Sequence, residues 1–93
     1  MKKEDVIQAA CKACGVHPSD IMKRTRKQSV SDARAIALKI MLDNRVSYSI
    51  EDAATSVNLL KRGAYKAIGR FTALNDHCPP FRHCYHEALS LLH

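Results

Sequence analysis

Apolar residues recur at intervals of three and four along nearly the whole chain, and this helical period is the strongest limit on what it can fold into. Residues 4–14 place Ile7, Ala10, Cys11 and Cys14 on one stripe, and Gly15 follows as a left-handed stop. Pro18 suits the first turn of a short helix over 18–24, with Ser19 and Asp20 near its positive end. Thr25 to Gln28 has no apolar member and reads as a loop. Ser29-x-x-Asp32 predicts a capping box that opens a central helix to about Asn44, burying Val30, Ala33, Ala37, Ile40 and Met41, with Ile36 and Leu38 widening the face. Ser49-x-x-Asp52 predicts a second capped start, for a short helix ending near Val57. Asn58 makes the turn into a long helix over roughly 60–74. Cys78-Pro79-Pro80 breaks the chain, and Phe81 to Leu92 predicts one more amphipathic helix.

Ala, Leu, Ile and Val must build the core, because aromatics make up 5% of the chain and Trp is absent. Three Gly and three Pro are too few turn formers for many short strands, which excludes an all-β fold. Ninety-three residues leave room for one domain. The expectation is a single all-α domain over 1–93.

Fifteen Lys+Arg against nine Asp+Glu give a net charge of +6, which favours a polyanion: nucleic acid first, an anionic membrane second. No apolar run approaches the roughly 18 residues of a membrane span. The opening Met1-Lys2-Lys3-Glu4-Asp5 leads into an amphipathic segment rather than the apolar stretch of a signal peptide. A soluble cytoplasmic protein is expected, with its four Cys as reduced thiols and no membrane partner.

The charge is clustered. Lys23, Arg24, Arg26 and Lys27 put four cations into five residues with no acid. Further on, a short helix with small residues (Ala53, Ala54), a turn and a longer basic helix form the layout of a helix-turn-helix. Ala64, Ile68, Phe71 and Leu74 would seat the second helix on the core, while Arg62, Lys66 and Arg70 follow at i, i+4, i+8 along one ridge. In that arrangement the N-terminal part of the second helix meets the bases of a major groove. Lys61, Arg62 and Tyr65 would then approach the groove, and Lys66 and Arg70 the phosphates.

Two stretches also resemble a known family. Val6-Ile7-Gln8-Ala9-Ala10, followed by Gly15-Val16-His17-Pro18-Ser19-Asp20-Ile21, is similar to the opening of the C-terminal DNA-binding domain of the bacterial replication initiator DnaA. So is the run from Lys23 to Leu38, with its basic loop, Ser29, and Ala33-Arg34-Ala35-Ile36-Ala37-Leu38. The likeness continues through Ser49-Ile50-Glu51-Asp52-Ala53-Ala54 to about Phe71, so the similar region spans about 4–74 and leaves a C-terminal helix of about 81–92 outside it. The resemblance implies a Trp-repressor-like, five- or six-helix orthogonal bundle with a helix-turn-helix. It further implies double-stranded DNA binding in replication or transcription control of a bacterium. It places Arg26, Lys27 and Arg34 where the family contacts the minor groove and backbone. The family's recognition helix opens on a Gly-Arg-Asp-His-Ser-Thr-Val type of signature, whereas Asn58-Leu59-Leu60-Lys61-Arg62-Gly63-Ala64 lacks its Asp, His and Thr and is one residue shorter in the turn. A protein–protein interaction domain that kept the fold without sequence-specific reading is therefore the alternative.

Cys11-x-x-Cys14 has ligand spacing, and His77, Cys78, His83, Cys84 and His86 crowd ten residues. Zinc held by His77, Cys78, His83 and His86 is one reading of that segment. Against it, Cys11 and Cys14 fall on the apolar stripe of the first helix, where thiols serve as core. The favoured reading has no metal and no cofactor. No Gly-rich phosphate loop, paired carboxylates or oriented nucleophile–base pair occurs, so an enzyme is not expected. Phe81, Tyr85, Ala88, Leu89 and Leu92 form a face that packs back on the first helix or, alternatively, forms a homodimer or partner surface.

Overall fold

The computed structural model describes residues 2–25 and 27–92, and every regular element among them is helical. Helix α1 spans Lys3–Cys14, a 3₁₀ turn Pro18–Met22, α2 Gln28–Asp43, α3 Ile50–Ser56, α4 Lys61–His77 and α5 Pro79–Leu92. None of these helices is long and apolar enough to cross a membrane.

The central helix is α2. Positions 33–38 are all buried, so it is enclosed on nearly every side, with α1, α3, α4 and α5 all packed against it. Val6, Ala10 and Cys11 seat α1 on it, and Ala64, Ala67 and Phe71 seat α4. Ala67, rather than the expected Ile68, completes the α4 seam; Ile68 is half-buried beside it.

The apolar face of α5 turns inward against α1 and α4. Phe81 and Ala88 are buried, and Tyr85, Leu89 and Leu92 pack on the core. Phe71 meets Phe81 edge-on at 5.4 Å between ring centroids and Tyr85 at 4.8 Å. That face is occupied within the chain; Leu91, at its margin, is exposed.

Three helix starts differ from their sequence patterns. Ser29 does not cap α2, which begins at Gln28 with Lys27 in the N-cap position and no side-chain cap bond. The Asp32 carboxylate instead accepts from Gln28 Nε2 at 2.7 Å. The Pro18 segment closes as a 3₁₀ turn ending at Met22, its N-cap made by His17, whose Nδ1 accepts from the Ser19 amide at 3.1 Å. The tandem prolines do not separate the last helices by a loop: they are the first residues of α5, and Cys78 alone lies between α4 and α5. Proline is tolerated there because first-turn amides have no intrahelical partner in any case.

Candidate nucleic-acid interface

The basic loop after the 3₁₀ turn is held from beneath by Arg34. This residue sits on α2 only 7% exposed. Its Nη2 donates to the carbonyls of Ile21 at 2.6 Å and Lys23 at 2.7 Å, its Nε to Ile21 again at 3.2 Å, and its Nη1 to Thr25 at 3.5 Å. Burial pulls the guanidinium below its usual pKa, and the carbonyl oxygens compensate for the lost water. Arg34, expected to contact DNA, is thus engaged on the loop's own carbonyls, although it also lines the cleft beneath the loop. Its donors face inward and fix the loop's path, because the carbonyls of residues 21–25 point at it.

On that scaffold Lys23, Arg24 and Lys27 project into solvent. Lys23 bonds Asp20 at 3.1 Å, and this hydrogen bond is the main reason the Asp20 carboxyl lies below its usual pKa. Arg26, named with them from the sequence, lies outside the described residues.

The second cationic segment is α4. The Ser49 hydroxyl accepts from the Asp52 amide at 3.1 Å and so caps α3 as its pattern predicts. A turn follows in which Asn58 takes the left-handed conformation, with φ of 59°, a region asparagine tolerates better than most residues. Asn58 Nδ2 then donates to the Met22 carbonyl at 3.0 Å, across 36 residues of sequence. This bond ties the α3–α4 turn to the root of the basic loop. As a result Arg24 shares a shallow cleft of about 810 Å³ with Arg62 and Lys66, with Leu59 also lining it. A second cleft of about 250 Å³, between α2 and α4, is lined by Ser31, Arg34, Leu59, Gly63, Lys66, Ala67 and Arg70. Leu59 and Lys66 belong to both, so one groove runs from the basic loop along α4.

Arg62, Tyr65, Lys66 and Arg70 are all exposed, and the three cations span about 12 Å of helix axis at the usual rise. Lys61 differs. Its ammonium bonds Glu51 on α3 at 2.9 Å, which raises its pKa. Among the described ion pairs, the remaining ones join Lys3 to Asp52 and Lys39 to Asp43. None involves Arg24, Arg62, Lys66 or Arg70, four of the cations that line the groove; the others, Lys61 and Arg34, are engaged on Glu51 and on backbone carbonyls.

Three residues at the groove differ in role from what the sequence suggests. The Asn58 side chain bridges two segments, a role beyond the turn its identity announces. The paired leucines divide: Leu59 packs on the core and lines the groove, while Leu60 is 83% exposed.

Among the described residues the cysteines and histidines do not assemble a metal site. Burial pushes the Cys11 thiol up to about 11; burial, with neighbouring Cys84 second, pushes Cys14 up to about 12. His77, His83 and His86 are exposed at the α4–α5 end, whereas Cys78 packs on the core. Among the described residues no three His, Cys, Asp or Glu side chains converge as metal ligands would. In comparisons with known proteins, no family model, curated protein or solved structure matches the chain.

Proposed function

We propose that this chain is a double-stranded DNA-binding domain that lays the 23–27 loop on the sugar-phosphate backbone or minor groove and the N-terminal part of α4 in the major groove. The observation that carries the reading is the convergence of Arg24, from the loop, with Arg62, Lys66 and Arg70, from α4, on one groove with no acidic partner among the described residues. Cations that fold the protein are engaged elsewhere, Arg34 on carbonyls and Lys39 on Asp43. Cations left unpaired along a groove favour an anionic polymer. The α3–turn–α4 unit serves as the helix-turn-helix, and its resemblance to the DnaA C-terminal domain points to replication or transcription control in the bacterial cytoplasm. An α-helix fits a major groove about 12 Å wide.

Fluorescence anisotropy on a duplex at a series of salt concentrations tests the reading. Four neutralised phosphates give a log–log slope of roughly −3 to −4, and Lys66→Ala should flatten it by about one unit. Arg62→Ala should additionally reduce any preference among sequences. Absence of binding at low salt refutes the proposal.

A second reading, a protein-interaction domain, draws on the exposed apolar side chains Met22, Leu60 and Tyr65, of which Leu60 lines the same groove. It predicts concentration-dependent association in sedimentation velocity, unaffected by Arg62→Ala.

A further inference from the structure

Cys14 and Cys84 are far apart in sequence and meet where the end of α1 packs on α5. Cys14 is the last residue of α1, and the left-handed Gly15 turns the chain away immediately after it. Cys84 lies on α5 beside Tyr85, whose ring is seated on Phe71. Both cysteines pack on the core while remaining only half-buried, and their thiols share a hydrogen bond across the helix interface. The other two cysteines are placed differently: Cys11 is fully buried one turn back along α1, and Cys78 lies between α4 and α5. No residue of α1 or α5 lines the cationic groove, so the pair stands apart from it.

Two thiols held in contact from different helices, each partly open to solvent, form a dithiol placed for exchange. We propose that Cys14 and Cys84 are a redox modification site, which closes to a disulfide tying α1 to α5 when the chain meets a small-molecule disulfide. The exchange has two steps. The Cys84 thiol loses its proton to solvent, and its thiolate attacks one sulfur of the small disulfide; that S–S bond breaks, and the released thiolate takes up a proton. The Cys14 thiol then loses its proton, its sulfur attacks that of Cys84, and the second small thiol leaves. Two protein thiols are oxidised and one small disulfide is reduced to two thiols; excess small thiol reverses both steps. The order follows from the surroundings. Burial, then the neighbouring Cys84 and the Asp32 carboxylate of α2, push Cys14 up to about 12, which makes it the poorer first nucleophile. Once Cys84 carries the small thiol it has no charge, and its contribution to that shift ends when Cys14 has to react.

The test uses oxidised glutathione as the disulfide and the full chain, reduced and folded, without denaturant. After alkylation and digestion, mass spectrometry maps the sulfurs. The expected product is a monomer in which the peptides of Cys14 and Cys84 are joined. Its thermal midpoint should exceed that of the reduced chain by roughly 10–25 °C, because the cross-link restricts most of the unfolded chain, and dithiothreitol should return it to the reduced value. Cys14→Ala should stop at the first step, keeping one glutathione on Cys84 and losing the gain in midpoint. The mapping on the parent chain decides the matter whether or not that variant folds. A parent chain that carries glutathione with no joined peptides overturns the proposal. So does a bond through Cys11 or Cys78, a covalent dimer, or a Cys14–Cys84 bond that forms only after urea has unfolded the chain. No DNA is present, so each of these results leaves the DNA reading standing.

Discussion

Replacing Arg34 with methionine keeps much of the side-chain volume and removes every donor from beneath the basic loop. Two bonds dominate the loss, Nη2 to Ile21 at 2.6 Å and to Lys23 at 2.7 Å; the 3.5 Å contact to Thr25 is too long to matter much. Hydrogen bonds to a charged group contribute about 1.5–3 kcal/mol each, but the variant is also relieved of burying a charge, and the Lys23 carbonyl can recover water. The net loss is roughly 2–4 kcal/mol, a large share of the 5–15 kcal/mol typical of a domain. For a chain of this size that lowers the thermal midpoint by roughly 10–25 °C. Arg34→Lys should recover little of it, because an ammonium on a flexible stem cannot serve carbonyls that the planar guanidinium spans at once. Thermal and urea unfolding followed by far-UV circular dichroism measure both variants. If either unfolds within about 0.5 kcal/mol of the parent, as an ordinary surface substitution would, the clamp is refuted. Salt dependence provides a second check, since folded Arg34→Met should retain the parent's slope on DNA; a slope lower by about one unit would show that Arg34 meets a phosphate after all.

Other perturbations follow from single contacts. Ser49→Ala removes the acceptor of the Asp52 amide and should destabilise the fold by about 1 kcal/mol in urea titration. Gly69→Ala should stabilise it by about 0.5–1 kcal/mol, because Gly69 lies in an exposed helix interior where an added Cβ meets nothing within 4 Å. Glu51→Gln frees Lys61 beside the groove, so DNA affinity should rise and the salt slope steepen by up to about one unit; unchanged affinity would place Lys61 away from the phosphates. Cys11, whose folded-state pKa is raised to about 11, holds its proton more tightly in the fold than in the unfolded chain. Stability measured under reducing conditions should therefore fall as pH rises from the ordinary thiol value of 9.0 towards 11, and a flat profile would refute the burial argument.

What could be read from the sequence divides according to the reach of the interaction involved. Gly15 and Asn58 both adopt the left-handed conformation their identities announce, and Ser49 caps α3, because each of these is decided within four residues. Ser29 carries the same type of pattern and fails. The loop before it is shaped by Arg34, and Lys27's carbonyl accepts the Ser31 amide at 3.0 Å, so α2 starts before Ser29 can act as its cap. The tandem prolines misled for a related reason. Arg82, one turn into α5, donates from Nε to the Asn75 carbonyl at 2.7 Å and from Nη2 to Asp76 at 2.8 Å. Those bonds satisfy the exposed end of α4 and let α5 follow after a single residue, which no local breaker rule anticipates.

The groove shows the same division. Spacing was enough to set Arg62, Lys66 and Arg70 on one ridge, since helical period alone determines it. It could not separate Arg34 from Arg24, because whether a cation is buried depends on which carbonyls surround it, and those lie as many as thirteen residues away. Leu59 and Leu60 set a harder problem: they are identical, adjacent and outside the helix, so neither period nor propensity ranks them. Asn58's left-handed turn and its bond to Met22 fix the backbone from which both project. From there Leu59 packs on the core and Leu60 stands in solvent at the mouth of the groove. A position at the N-cap lies outside the 3.6-residue register, and so a side chain there is free of the packing that holds Leu74 further along α4. That freedom leaves Leu60 exposed, and it is also why the helical pattern of the sequence passes over it.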